Sequence, residues 1–343
     1  MRAPYRLGLL GLGNVGGALA RRLTEDADRI ALAAARPIQL VAIAVRHAGG
    51  RRAPAPLEPV ERLVERSDLD AIVELIGGLE PAHTYIHTAL AAGRQAITAN
   101  KQLIAANGPE LARLGPLRFE ASVASAIPIV EALAETLAAD RISSLIGILN
   151  GTTNSMLEAM AAGATYVDAL ADAQRRGLAE ADPSADVDAH DPAAKLAILG
   201  MLAFRRRIDP SRIERVGIRD LQATQFAEAA RRGQVVKLIA AATHDGNAIG
   251  ADVRPRLIAA DAGMARVGGA MNAIAVEAAY AGSLRFEGPG AGPDAAASAV
   301  LADIIRAARD APAAAGALLS SLADQPAAEV RPLGPRTPYP AVS

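Results

Sequence analysis

The chain has no cysteine and no tryptophan, and its 343 residues include only four phenylalanines and five tyrosines. Without a thiol there is no disulfide, no thiolate metal site and no cysteine nucleophile. Aromatic residues make up 3% and hydrophobic residues 51%, so the core must be alanine, leucine, isoleucine and valine packed on one another. No sign of charge dominates: 36 Lys+Arg stand against 37 Asp+Glu, a formal net charge of −1. That balance gives no global field to hold nucleic acid or an anionic membrane. No uninterrupted apolar run reaches the roughly 18 residues of a spanning helix. The N-terminal MRAPYRLGLLGLGNVGG runs into glycines too soon for a signal peptide. These absences leave a cytoplasmic enzyme as the expectation, long enough for two domains.

What is present begins with alternation. YRLGLL (5–10) reads as a buried strand, IQLVAIAV (38–45) as a second, DAIVELIGG (70–78) as a third and RQAITAN, ending at Lys101, as a fourth. Between them GLGNVGGALARRL and PAHTYIHTALAAG (81–93) have helical spacing, the latter with proline at its start and Gly93 at its end. Strands alternating with helices predict an α/β fold, a Rossmann-type doubly wound parallel sheet. The alternation weakens after residue 120. A helix at IPIVEALAETLA, a strand-like ISSLIGILN, helices to residue 204 and strand-like runs near 252–258 and 272–280 predict an α+β second half. Residues 311–343 are rich in alanine and contain six prolines, and the last twenty or so read as a loose tail.

Gly11, Gly13 and Gly16 make a GxGxxG pattern directly after a strand and at a helix start. The first glycine permits the tight turn, the second lets backbone approach a pyrophosphate, and the third allows helix and strand to pack closely. An acid at the end of the second strand would accept from an NAD ribose hydroxyl, whereas arginine suits a 2′-phosphate. The chain offers Arg46, with Arg51 and Arg52 behind it and no acid before Glu58. That favours NADP(H). NAD(H), with the arginines as ordinary solvated side chains, stays open.

The densest cluster of chemistry is LAEADPSADVDAHDPAAKLAIL (178–199), which places Glu180, Asp182, Asp186, Asp188 and Asp191 before Lys195. Asp191-Pro192 reads as a helix start, with Asp191 the N-cap and Lys195 one turn later on the same face. Apolar surroundings push a lysine towards its neutral form and carboxylates push it back, a balance suited to proton transfer near neutrality. A solvated acidic loop with a snorkelling lysine is the alternative. His83 and His87 are four apart on a predicted helix, but Thr84 stands where a metalloprotease motif has glutamate, so they read as a structural or exposed pair.

Taken together, GLGNVGGALA (11–20), ELIGG (74–78), TANK (98–101), FEASVASAIPIVEAL (119–133), GILNGTTNSML (147–157), the acidic segment 177–199 and GPGAG (288–292) resemble homoserine dehydrogenase, from about residue 5 to 310. That family interconverts L-homoserine and L-aspartate 4-semialdehyde with NAD(P). The resemblance implies an NAD(P)-binding Rossmann domain over 1–130, with a late helix near 293–310 packing back on it. It implies a substrate-binding, catalytic and dimerisation domain over 131–292; many members continue into an ACT domain, and the 311–343 tail is too short and proline-rich for one, so none is expected. By motif match Lys195 is the acid/base, Lys101 polarises the carbonyl, and Glu180, Asp191 and Asp186 hold the substrate. Gly11, Gly13, Asn14, Val15, Gly16, Arg46, Lys101 and Gly290 would meet the cofactor. Glu120, Val123, Ser125 and Ile127 would hold sodium or another monovalent cation through carbonyls and one carboxylate. Where many members carry glycine, this chain has Ser125 and Ala126, which a turn with positive φ would strain. A homodimer is implied. A Rossmann oxidoreductase acting on a related amino acid and a catalytically dead dinucleotide sensor are the rivals. Aspartate-semialdehyde dehydrogenase is excluded by the missing cysteine.

Overall fold

In a computed structural model, residues 2–46 and 52–333 are described; Arg51 and residues 334–343 lie outside them. The chain divides into two units, Met1–Thr136 with Gly292–Gln325, and Leu137–Ala291 with Pro326–Ser343.

In the first unit the apolar runs become β1 (Tyr5–Leu10), β2 (Ile38–Ala44), β3 (Ala71–Glu74), β4 (Gln95–Thr98) and β5 (Leu117–Arg118). All are parallel, in the order β2-β1-β3-β4-β5. Every residue of β3 is buried, as befits a strand covered on both faces, where alternation has no purpose. The strand order reverses between β1 and β3. In such doubly wound sheets that reversal opens the ligand crevice at the carboxyl ends of the strands. Leu7, Leu9, Leu19, Leu23, Ile43, Val73 and Ile97 form the core with Val300 and Ile304 of the helix Pro293–Ala308. Each such side chain contributes roughly 1.5–3 kcal/mol by leaving water.

The stretch 311–333 is more ordered than its composition predicts. Residues Ala314–Leu322 form a helix of the first unit, and β12 (Val330–Arg331) pairs in parallel with a strand of the second. Alanine-rich composition misleads because alanine is also the strongest helix former. Ala315, Leu319 and Leu322 make a buried stripe at helical spacing, and Leu319 packs on Gly108 of the helix Lys101–Ala112.

The second unit is built on a mixed sheet of β6 (Ile142–Ile148), β7 (Glu214–Arg215), β8 (Gln234–His244), β9 (Ile249–Ala259), β10 (Met271–Ala278), β11 (Gly282–Pro289) and β12. The order is β11-β10-β6-β8-β9-β12, with β7 also paired to β9. One face carries Ile146, Ile148, Ile239, Ala241, Ile258, Met264, Val267 and Ala273 as a core. The sequence does not announce β8, whose QVVKLIAAATH is alanine-rich and reads as readily helical; pairing with β6 and β9 on either side decides it. Among the described residues no helix is long and apolar enough to cross a membrane.

Candidate active site

On the first unit, Gly11 has φ 98°, and a Cβ there would come within 2.8 Å of the Leu75 carbonyl oxygen. A Cβ on Gly16 would run into the Gly11 carbonyl, whereas one on Gly13 would meet nothing within 4 Å. The loop is therefore closed on the protein side and open above Gly13. The helix Asn14–Glu25 that follows has no side-chain cap at Gly13. Its first-turn amides, from Asn14, Val15 and Gly16, are those that would face a phosphate. These features fit a dinucleotide pyrophosphate. Arg46 is exposed just beyond β2. Arg52 lines a groove of about 520 Å³ with Leu12, Gly17, Arg21 and Thr24.

Next to this loop lies a buried network. Glu74, at the end of β3 and fully buried, accepts from the backbone amides of Ile76 (2.8 Å) and Gly77 (2.9 Å) through Oε1. Its Oε2 accepts from Thr98 Oγ1 at 2.5 Å. Thr98 Oγ1 in turn accepts from the amide of Asn100 at 2.9 Å. The Asn100 side chain caps the Lys101–Ala112 helix, Oδ1 accepting from Leu103 N at 3.1 Å, while Nδ2 donates to the Gly78 carbonyl at 2.6 Å. Lys101 is thereby fixed, half-buried, as the first residue of that helix. The positive end of a helix dipole disfavours a lysine there by roughly 0.3–1 kcal/mol, so its placement serves something other than helix stability.

The second unit repeats the device with a different outcome. Asn150 follows β6 and caps the helix Gly151–Ala161, Oδ1 accepting from Thr153 N (2.8 Å) and Thr153 Oγ1 (2.9 Å). Its Nδ2 donates to Asp186 Oδ1 at 2.7 Å and to Asp191 Oδ2 at 2.9 Å. Lys195 Nζ donates to the same Asp191 Oδ2 at 2.8 Å and to the Leu149 carbonyl at 2.8 Å. Asp191 and Lys195 are both buried, at 5% and 8% exposure. A buried ion pair is weak evidence for stability, because desolvation offsets the attraction; this one is better read as chemistry.

Asp191 is not the N-cap that Asp191-Pro192 predicts. The helix runs His190–Phe204, with its N-cap at Ala189 in the left-handed region (φ 62°). The Asp191 carboxylate is engaged by Asn150 and Lys195 and lies inside the first turn. Asp186 joins the cluster from the short helix Ser184–Val187. Glu180 does not; it is exposed in the preceding loop. Asp188 pairs with Arg219 at 2.5 Å, which holds its carboxyl below the usual range, and Asp182 is lowered by hydrogen bonds from Ser184.

The turn expected to hold a cation contains left-handed backbone. Ser125 has φ 55°, and the second left-handed residue is Ala124 (φ 53°), not Ala126. Glu120, however, turns its carboxylate away: Oε1 and Oε2 accept from the amides of Val130 and Glu131, each at 3.0 Å, with Arg306 at 3.7 Å. Burial pushes this carboxyl up and the two amides pull it back. Both carboxylate oxygens of Glu120 are thus engaged by backbone amides, and the turn's other oxygens are the backbone carbonyls of Val123, Ser125 and Ile127 and the Ser125 hydroxyl. Gly290 lies against Asn272, whose side chain leaves no space for a Cβ. The His83 and His87 rings lie 6.1 Å apart between centroids, tilted by 42°, and no metal-binding cluster occurs among the described residues.

Comparison with known proteins agrees with this division. A family model described as homoserine dehydrogenase matches residues 128–305, and one described as the homoserine dehydrogenase NAD binding domain matches residues 11–116. The chain belongs to the homoserine dehydrogenase family. It is 43% identical over 319 residues to the Corynebacterium glutamicum homoserine dehydrogenase, covering 89% of this chain and 72% of the relative. The Mycobacterium tuberculosis (strain ATCC 25618 / H37Rv) enzyme is 40% identical over 322 residues, covering 90% and 73%. The crystal structure of the homoserine dehydrogenase from Thiobacillus denitrificans superposes with a TM-score of 0.89 at 38% identity, covering 96% of this chain and 80% of that one. A hyperthermophilic archaeal homoserine dehydrogenase in complex with NADPH superposes with a TM-score of 0.77 at 26% identity, covering 90% and 99%. The activity is thus the NAD(P)-dependent interconversion of L-aspartate 4-semialdehyde and L-homoserine, an oxidoreductase step of amino-acid biosynthesis. Asn150, Glu74, Thr98 and Asn100 are the site residues that sequence reasoning does not assign, although the motifs quoted for the resemblance contain all four.

Proposed function

We propose that Lys195 carries the proton of this reaction. The observation that supports it is the buried Lys195–Asp191 pair, with the ammonium also donating to the Leu149 carbonyl. In the reducing direction the ammonium gives its proton to the aldehyde oxygen as that oxygen becomes the C4 hydroxyl; in the oxidising direction the neutral amine takes it back. Bound nicotinamide supplies or accepts the hydride at C4. Asp191 steadies the charged form of Lys195, so the lysine returns to one protonation state after each turnover. Asp191 and Asp186, held together at Asn150, are assigned to the substrate ammonium, for which carboxylates are the natural partners; Glu180, exposed in the preceding loop, is assigned with them on the motif match alone. To Lys101 we assign polarisation of the carbonyl oxygen. The open loop at Gly13, with Arg46 and Arg52 beyond β2, supports NADP(H) as the preferred cofactor. Gly290 is assigned to the cofactor side. A monovalent cation would be held by the carbonyls of Glu120, Val123, Ser125 and Ile127, and a cytoplasmic homodimer completes the reading.

Lys195→Ala tests it. Turnover of L-homoserine should fall by at least about 10²- to 10⁴-fold, the contribution of a positioned acid/base, with dinucleotide affinity unchanged in a binding titration. Unchanged turnover sinks the assignment.

A further inference from the structure

We infer that Asn150 is a positioning residue of the reaction, holding the Asp186 and Asp191 carboxylates side by side and fixing the Asp191 oxygen to which Lys195 donates. The inference rests on the reading of Lys195 as the proton carrier. As a helix cap alone, asparagine would be unremarkable: serine, threonine and aspartate cap about as well. Beside those three, asparagine differs in accepting from the helix with one atom while presenting two donors with the other. The orientation of its amide is set by that first use. Because Oδ1 must face the Thr153 amide and hydroxyl, Nδ2 is turned to the acids.

Two carboxylates from separate elements, Ser184–Val187 and His190–Phe204, then converge on one nitrogen at 2.7 and 2.9 Å. Like charges so placed disfavour each other's ionised form, and donors aimed at both offset that. Asp191 Oδ2 accepts from Asn150 Nδ2 and from Lys195 Nζ together. The neighbouring carbonyl, Leu149, accepts from the same ammonium. The Leu149-Asn150 dipeptide therefore touches both halves of the ion pair. A residue that only capped its helix would have no reason to do so.

The test is steady-state kinetics of the full chain with L-homoserine and NADP⁺. Asn150→Ser keeps a capping oxygen and removes both donors. We expect kcat to fall about 10- to 100-fold, with the KM for NADP⁺ within about twofold and the thermal midpoint within about 2 °C of the unmodified protein. With Asp191→Asn already in place, the same Asn150→Ser change should lower kcat less than about threefold, because residues that act through one another are not additive. An unaltered kcat in Asn150→Ser, or an equal loss in both backgrounds, overturns the inference. Should Asn150→Ser not fold, Asn150→Asp, which retains the side-chain shape and the capping acceptor, is read instead; kcat must fall at least as far, and an unaltered kcat overturns it. Retained turnover in Lys195→Ala strikes the underlying reading and is observed on a different protein, so the two failures are distinct.

Discussion

Asn100 and Asn150 begin helices in the two units with the same geometry at Oδ1 and different partners at Nδ2. In the first unit the amide donates to the Gly78 carbonyl, and the nearby acid, Glu74, accepts from two backbone amides and a hydroxyl. Every contact there shapes a loop. In the second unit the amide donates to two carboxylates, one of which is shared with a buried ammonium. Those contacts manage charge. One capping device is thus put to conformational use beside Lys101 and to electrostatic use beside Lys195. The comparison implies that damage to the first network should appear mainly as lost stability, and damage to the second mainly as lost turnover.

Glu74→Leu separates the two most sharply. The change leaves the amides of Ile76 and Gly77 and the Thr98 hydroxyl without their acceptor, at about 1–3 kcal/mol for a fully buried donor. Part of that is recovered because a buried charge is removed and because Ile76 is 41% exposed, so water reaches its amide. A net loss of about 2–4 kcal/mol would lower the thermal midpoint by roughly 4–16 °C in a unit of this size. Calorimetry on Glu74→Leu should show this loss, and Asn150→Ser should not. A midpoint within about 2 °C of the parent for Glu74→Leu, below the roughly 4 °C that 2 kcal/mol would give at the least, would remove the contrast.

How much of this was legible beforehand follows from where the partners lie. Gly11, Gly13 and Gly16 act within one loop, and Asp191 and Lys195 are one helical turn apart, so short spacings disclose them. Asn150 meets Asp186 and Asp191 across 36 and 41 positions, and Glu74 meets Thr98 across 24. Nothing local states that such residues share a site. A glutamate inside the apolar AIVELIGG was nonetheless a signal, because a charge at a strand end is buried only with partners. The doubly wound sheet was legible because buried parallel strands are continuous apolar runs. Strand β8 and the helix Ala314–Leu322 were not, since alanine serves strand, helix and loop composition alike and only packing chooses between them.

Coenzyme choice sharpens the comparison at the level of binding, without disturbing either network. Arg46 and Arg52 are exposed, so replacing them should leave stability within about 0.5 kcal/mol. Arg46→Glu combined with Arg52→Glu places carboxylates where a 2′-phosphate would lie. The KM for NADP⁺ should rise about tenfold or more, which corresponds to about 1.4 kcal/mol of lost transition-state binding. The KM for NAD⁺ should hold or fall. Equal changes for both coenzymes would place the arginines away from the ribose and end the argument for NADP(H).

The smallest effect is expected at the cation turn. Ser125 at φ 55° and Ala124 at φ 53° hold a conformation that costs a side chain roughly 1–2 kcal/mol. Replacing Ser125 with glycine relieves that strain and adds back about 0.5–1 kcal/mol of chain entropy lost on folding. The balance is a gain of roughly 0–1.5 kcal/mol. More informative is the response to salt. An ion that binds the folded chain raises the midpoint by mass action, so sodium chloride should stabilise the protein more than choline chloride at equal ionic strength. With the Glu120 carboxylate engaged by the Val130 and Glu131 amides, backbone carbonyls and the Ser125 hydroxyl are the ligand oxygens to separate. Ser125→Gly keeps its carbonyl, so the sodium increment should persist in the variant. Loss of the increment would mean that the serine hydroxyl is the ligand, and persistence would explain how a turn elsewhere built on glycine tolerates serine here.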